Sequence, residues 1–315
     1  MIVSKPYELT HANDFILLDD YLERGDFYLK IEGLNIGSSI KIKAAKAMIE
    51  KFEQQGLIKE NTKIIESSSG NLGLSLSIIC ASKGYKFVCV SDKNISPQTA
   101  SMIRAYGTEL VIIDEKDSNG GYLGKRLEYI NKRLENDDNL LWVNQYENEQ
   151  NILAHYKNTG PEILGSFGKV DYLFIGAGTT GTLGGVSRYI KKNSPGTKII
   201  AVDTLGSVTF NGKPGKRLIP GLGTSKAPPI SKHSIYDELV RVEEIQSVRT
   251  CNYLASKGLL LGGSTGTILA GVKDYFTRNE PSGNIIAISP DLGDRYLDTI
   301  YNPVWIENNF PNYYS

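Results

Sequence analysis

An α/β protein with two open, parallel or mostly parallel sheets carrying helices on both faces is what this sequence predicts. Three observations carry the reading: short apolar runs rich in β-branched residues, helical patterns between them, and turns rich in glycine and hydroxyls where a run gives way to a helix. The runs TKIIE (62–66), KFVCVS (86–91) and ELVIID (109–114) make a first series. VDYLFI (170–175), TKIIAVD (197–203) and NIIAIS (284–289) make a second. The chain has 315 residues, 40% of them hydrophobic, which is enough for two domains of ordinary size.

Taken in order, the strand-like FYLKIE (27–32) leads into Ser38-Ser39-Ile40-Lys41. The two serines are suited to capping a helix that places Ile42, Ala45, Ile49 and Phe52 on one face. Lys41 then stands at a helix start, where the positive helix end disfavours an ammonium and favours an amine nucleophile. Lys43 and Lys46, beside it, are expected to be solvated. In IIESSSGNLGLSLSII (64–79) a strand passes through Ser67, Ser68, Ser69, Gly70 and Asn71 into a helix, a turn that gathers N–H groups and hydroxyls around a carboxylate. Pro97 after Ser96 opens a further helix and Gly107 closes it. The polar stretch Asn144 to Gln150 is the expected crossing between domains.

The second series begins with LFIGAGTTGTLGG (173–185), in which Gly176, Gly178 and Gly181 satisfy G-x-G-x-x-G and Asp203 ends the next strand. That pattern fits a dinucleotide fingerprint and therefore a nicotinamide-dependent oxidoreductase. It fits equally a hydroxyl-rich cup, Gly178 to Thr182, for one phosphate monoester at a helix N-terminus. Gly206 to Pro229, rich in Gly, Pro, Lys and Ser, reads as an ordered active-site loop. In LLLGGSTGTILAG (259–271) Ser264 and Thr265 open another helix.

A formal net charge of +0 gives no long-range field for nucleic acid or an anionic membrane. The opening MIVSKPYELT has no signal-peptide pattern and no apolar run approaches bilayer length, so a cytoplasmic location is expected. Cys80, Cys89 and Cys251 lack metal or redox spacing and are expected to be buried thiols. His11, His155 and His233 are scattered, so no transition metal is expected and each is read as a surface or packing histidine.

With those motifs in that order, the chain from about Tyr28 to Leu297 resembles the fold type II pyridoxal-phosphate family, tryptophan synthase β-like in fold, which includes cysteine synthase and cystathionine β-synthase. The resemblance implies pyridoxal 5'-phosphate as cofactor, with Lys41 forming the Schiff base. It implies that Asn71 bonds the phenolic oxygen, that Ser67, Ser68, Ser69 and Gly70 receive the substrate carboxylate with Gln145 near it, and that Gly178, Thr179, Thr180, Gly181 and Thr182 hold the phosphate. Ser264 would face the pyridine nitrogen. A smaller mobile domain over 36–145 would carry the carboxylate loop, and 1–35 with 146–315 would anchor the cofactor. A homodimer is also implied.

The phrases NISPQTASMIRAYG, GGYL followed by Arg126, NQYENE, VDTLGSV, IPGLGTS, GGSTGT and PDLGDRYLD resemble the branch of this family that makes a 2,3-diaminopropionate precursor for siderophores and antibiotics. That resemblance implies β-replacement through an aminoacrylate, with O-phospho-L-serine as donor and the L-glutamate amine as nucleophile. Arg126 would meet the phosphate leaving group and Tyr146 would donate a hydroxyl. Departures from the family pattern are Ile36 for a common proline, Ile42 for the aspartate after the lysine, Lys43 for an arginine, Glu149 for a proline, and no recognisable I-G-x-T-P segment. Two alternatives follow: a cysteine synthase using O-acetylserine or O-phosphoserine with sulfide, and a non-catalytic binding protein on the same fold.

Overall fold

The computed structural model describes residues 2–117, 120–280 and 282–314. The chain opens with β1 (Phe15–Leu17) and β2 (Asp26–Ile31), an antiparallel pair, followed by α1 (Lys41–Gln54). Next come β3 (Lys63–Ser67), α2 (Asn71–Lys83), β4 (Lys86–Asp92), α3 (Pro97–Ala105), β5 (Glu109–Ile113), α4 (Leu123–Leu134) and β6 (Leu140–Trp142). These four strands form a parallel sheet of order β5-β4-β3-β6. Alternate residues face opposite ways along each strand. Ile64, Phe87 and Cys89 accordingly pack on α1 and α2 through Ile42, Met48, Leu72 and Leu76, while Ile65, Val88 and Val90 pack on Ile130 of α4.

Beyond the crossing at 144–149 the chain forms α5 (Gln150–Lys157), α6 (Thr159–Phe167), β7 (Tyr172–Gly176), α7 (Gly181–Asn193) and β8 (Lys198–Thr204). It continues with β9 (Glu238–Val242), α8 (Glu244–Ser256), α9 (Gly263–Phe276), β10 (Asn284–Ser289) and α10 (Pro303–Asn309). The second sheet has order β1-β2-β10-β7-β8-β9, parallel except for β1. Its two faces separate by the same alternation. Leu173, Ile175, Ile199, Ala201, Ile286 and Ile288 meet Leu183, Val186 and Ile190 of α7. Phe174, Ile200, Val202, Ile285 and Ala287 meet Ile268, Leu269, Val272 and Tyr275 of α9 on the other side. Each such side chain contributes about 1.5–3 kcal/mol when fully buried.

The helix expected at Lys41 begins there, but neither serine caps it: Ile40 is the N-cap and makes no side-chain bond. The connection is instead held from outside, because Ser38 adopts a positive φ of 54° and Arg295 Nη2 donates to the Gly37 and Ser38 carbonyls. Lys43 is a correction to the solvated reading. It is buried, with Nζ 2.9 Å from Glu32 Oε1 and 2.7 Å from Glu162 Oε2, and Lys30 lies 3.3 and 3.1 Å from the same two oxygens. Helical spacing places Lys43 on α1 without saying that β2 and α6 will close over it. Lys46 stays partly exposed. The three cysteines are free and buried.

Candidate active site

Ligands of open α/β sheets collect beyond the carboxyl ends of the strands, and the Ser67 to Asn71 and Gly178 to Thr182 turns leave from those ends, after β3 and β7. After β7 the chain runs through Gly178, Thr179 and Thr180 into α7, a 13-residue helix whose first N–H groups have no intrahelical acceptor. Thr180, at φ 68°, is buried and its Oγ1 has no partner among the described residues. A Cβ on Gly178 would stand 2.6 Å from the Gly221 carbonyl, and one on Gly181 would collide with the Asn151 amide, so both positions require glycine for close approach. Asn151 Nδ2 reaches Thr179 Oγ1 at 3.1 Å, and His155 Nε2 lies 3.3 Å from Thr182 Oγ1. Burial, then the charges of Lys43 and Lys41, push His155 well below its usual range, so it orients Thr182 as a neutral ring. His155 is thus a packing histidine, as expected, with a contact to the cup.

Opposite the cup stands Lys41. Part of it stays open to the pocket while packed atoms crowd the rest, and burial pulls its amine down to about 8 against the opposing charges of Glu66 and Asp291. Asn71 opens α2, and Ser264 lies in the first turn of α9. Lys41, Asn71, Gly178 to Thr182 and Ser264 line one pocket, whose empty volume, mouth included, is about 550 Å³. Ile40, Ile175, Leu222, Ile268 and Ile288 supply its apolar wall, Leu222 coming from the long loop that follows β8.

The Ser67 turn lies outside that lining and is braced from below. Glu66 is fully buried; its Oε1 accepts from Ser67 N at 2.8 Å and its Oε2 from Gln145 N at 3.3 Å, while burial pushes its carboxyl up to about 8. Gln145 Nε2 donates to the Ser67 carbonyl at 2.9 Å. Ser68 Oγ accepts from Gly70 N at 3.3 Å and from Gly73 N, in the first turn of α2, at 2.9 Å. Ser67 Oγ is buried without a partner among the described residues.

Arg126, on α4, is buried outside the lining, with Nε 3.4 Å from Asp92 Oδ2. That Nε has no hydrogen-bond partner among the described residues. Tyr146 also stands outside the lining, and its backbone carbonyl accepts from Ile230 N. Asp203 turns to its own chain, where Oδ1 accepts from Thr204 N.

Sequence reasoning missed Glu66, Asn151 and, above all, Asp291. This buried carboxylate follows β10 and accepts from Asn71 Nδ2 at 2.8 Å, Ser264 Oγ at 3.2 Å and Tyr296 OH at 2.6 Å. The available signal was an acidic residue just beyond the carboxyl end of a strand in PDLGDRYLD.

Such a pocket suits an enzyme that works through a phosphorylated aldehyde held by a lysine amine. The residues fit that group: the Thr180 hydroxyl, unpartnered among the described residues, and the N-terminal N–H groups of α7 would suit a phosphate, and the lowered Lys41 amine would suit an aldehyde. The chain belongs to the pyridoxal-phosphate-dependent enzyme family, whose model matches residues 17–291. It is similar to a solved O-ureido-L-serine synthase, with 28% identity over 96% of each chain and a TM-score of 0.89. A hydrogen sulfide-producing enzyme from Fusobacterium nucleatum is 32% identical over 94% of this chain and 100% of that one, with a TM-score of 0.87. An O-acetylserine-dependent cystathionine β-synthase from Helicobacter pylori is 26% identical over 96% of this chain and 100% of that one, with a TM-score of 0.86. The protein is a pyridoxal-phosphate enzyme of the β-replacement kind within the cysteine synthase-like family.

Proposed function

We propose that this enzyme exchanges the phosphate of O-phospho-L-serine for the amine of L-glutamate, forming N-(2-amino-2-carboxyethyl)-L-glutamate for 2,3-diaminopropionate, siderophore or antibiotic biosynthesis. The Cβ–O bond breaks, a Cβ–N bond forms, and the proton shed by the amine leaves with the phosphate. The observation that carries the reading is Arg126, a buried guanidinium whose Nε has no hydrogen-bond partner among the described residues. A dianionic leaving group calls for a cation of this kind, since a charge-assisted, bidentate contact is strongest where water is excluded. Burial, against the charge of Arg126 and with that of Glu66, holds the Tyr146 hydroxyl above its usual range, so it stays protonated and is the hydroxyl donor in this reading.

Bound in the pocket, pyridoxal phosphate supplies an aldehyde for the lysine and a ring that takes up electrons released at the α-carbon. Gly178 to Thr182 would hold the phosphate, Asn71 and Ser264 would address the ring, and Ser67 to Gly70 with Gln145 would hold the substrate carboxylate. Lys41 Nζ would hold the cofactor and would serve as the base for the substrate's α-proton. Closure of segment 36–145 over the larger unit excludes water, which otherwise yields pyruvate and ammonia. The enzyme works as a homodimer in this reading, which its sedimentation mass tests.

The solved relatives carry the names of different products, so donor and nucleophile are tested directly. The purified enzyme is given O-phospho-L-serine or O-acetyl-L-serine with equimolar glutamate and sulfide, and products are resolved by mass spectrometry. The glutamate adduct from phosphoserine supports the proposal; cysteine as the sole product from either donor overturns it. Lys41→Ala is expected to abolish the visible cofactor band, and a variant keeping that band and full turnover refutes the assignment of Lys41.

A further inference from the structure

The long loop that follows β8 sets a second arginine against the pocket wall. Arg217 is partly buried, its Nε has no hydrogen-bond partner among the described residues, and its Nη1 donates to the Leu222 carbonyl at 3.4 Å, a long bond. Gly221 and Leu222 line the pocket. A Cβ on Gly223, whose φ is 72°, would stand 2.6 Å from Arg217 Nη1, so the loop is drawn closely round the guanidinium. The segment is anchored: Leu218 N and Ile219 N donate to Glu244, the first residue of α8, at 2.9 and 2.7 Å, and Gly223 N donates to the Ala177 carbonyl at 2.8 Å. Burial pulls the guanidinium below its usual range, against the charges of Asp203, Glu244 and Tyr146, and an arginine stays cationic there. Those two carboxylates are engaged with backbone, Glu244 as above and Asp203 Oδ1 with Thr204 N. Tyr146 lies within the field of both Arg217 and Arg126. The loop also comes up to the start of α4, where a Cβ on Gly121 would lie 3.5 Å from Ser225 Oγ.

We propose that Arg217 is the specificity-determining residue for the second substrate, receiving the distal carboxylate of an acidic amino-acid nucleophile. The inference rests on the exchange of phosphate for glutamate proposed above and gives that reaction its acceptor site. In O-phospho-L-serine the β-carbon carries an oxygen, then phosphorus, then the charged oxygens. When an amino acid forms the Cβ–N bond, its nitrogen takes the place of that first oxygen and its α-carbon the place of phosphorus. Its α-carboxylate then enters the region that the phosphate oxygens left, beside Arg126. The side-chain carboxylate of glutamate lies further along the chain and needs a cation of its own. Arg217 is the second cation whose charge reaches Tyr146, and its Nε is free to donate. A guanidinium held by an anchored loop loses little freedom when it binds a carboxylate, and the charge-assisted bond is strong where water is excluded. Sulfide brings no carboxylate and gains nothing from Arg217.

The two halves of the reaction separate the roles. Phosphate released from O-phospho-L-serine without a nucleophile reads the first half, and initial rates against L-glutamate, sulfide or L-norvaline read the second. L-Norvaline keeps the length of glutamate and lacks the distal carboxylate. Arg217→Ala is expected to raise KM for glutamate about tenfold to a hundredfold, the equivalent of one charge-assisted hydrogen bond, while phosphate release and KM for sulfide stay within about twofold. With L-norvaline the loss should vanish, because residue and carboxylate belong to one interaction. Arg217→Lys, which keeps the charge but not the planar fork, should recover part of it. Glutarate, with two carboxylates and no amine, gives a readout apart from turnover: its affinity by calorimetry should fall about tenfold in Arg217→Ala. Arg217→Gln carries the same comparisons if Arg217→Ala does not fold. An unchanged KM for glutamate overturns the inference, as does phosphate release slowed as much as glutamate addition, or an equal loss with L-norvaline. A wild type that releases phosphate yet forms no glutamate adduct would instead overturn the functional reading beneath it.

Discussion

Removing Lys43 tests the buried ion cluster that seats the helix of Lys41. Lys30, Lys43, Glu32 and Glu162 balance two positive against two negative charges, at side-chain exposures of 1, 4, 0 and 15%. Asn35 Nδ2 adds a donor to Glu32 Oε2 at 2.7 Å. Lys43→Met keeps the apolar stem but leaves two carboxylates to share Lys30. Breaking a buried pair from one side costs about 3–5 kcal/mol, and the opening at Glu162 puts the expected loss near about 3 kcal/mol. Denaturant unfolding of the cofactor-free protein, followed by circular dichroism, measures it. Lys43→Met with Glu162→Met restores neutrality and is expected to recover at least half of the loss. The pH dependence has a definite sign. An unpaired buried carboxylate binds a proton more tightly in the folded than in the unfolded chain, so the deficit of Lys43→Met shrinks as pH falls and grows as it rises. A loss below about 1 kcal/mol, the value of an exposed pair, would refute the reasoning. So would a double variant as unstable as the single one.

Gly181→Ala drives a methyl group into the Asn151 amide, and overpacking of about 1–3 kcal/mol should appear as a roughly tenfold or greater loss of cofactor affinity in a titration. Thr180→Val removes a hydroxyl that has no partner among the described residues, so the melting temperature of cofactor-free protein should hold while cofactor affinity falls by about tenfold to a hundredfold. Capture of pyridoxal phosphate by cofactor-free protein needs the unprotonated Lys41 amine, so its rate should rise with pH to a midpoint near about 8; Glu66→Gln, which removes a charge that raises Lys41, should lower that midpoint. Arg126→Ala should damage turnover of O-phospho-L-serine more than that of O-acetyl-L-serine, and equal loss for both donors would remove Arg126 from phosphate recognition.

Much of the fold was legible because its signals are local. Alternation along β7, β8 and β10 marks residues that do pack on opposite faces of one sheet, and the turns at Ser67 to Asn71 and Gly178 to Thr182 announce helix starts by their own chemistry. The loop after β7 left phosphate cup and dinucleotide fingerprint equal in its own residues. Its meaning came from the other motifs and from a pocket that joins it to Lys41 and Ser264.

The sequence by itself determined the two parallel sheets, the lysine at a helix start, and the glycine and hydroxyl turns at the strand ends, because period and turn chemistry act between near neighbours. Only the tertiary structure decided which polar groups lose water together. Asn71 meets Asp291 across 220 positions and Lys43 meets Glu162 across 119, and neither partner is marked in the residues beside the other. A lysine on a helix or an aspartate after a strand has the same local pattern whether solvated or buried. The difference arises when distant elements close over it, and the cost of desolvation then demands a partner.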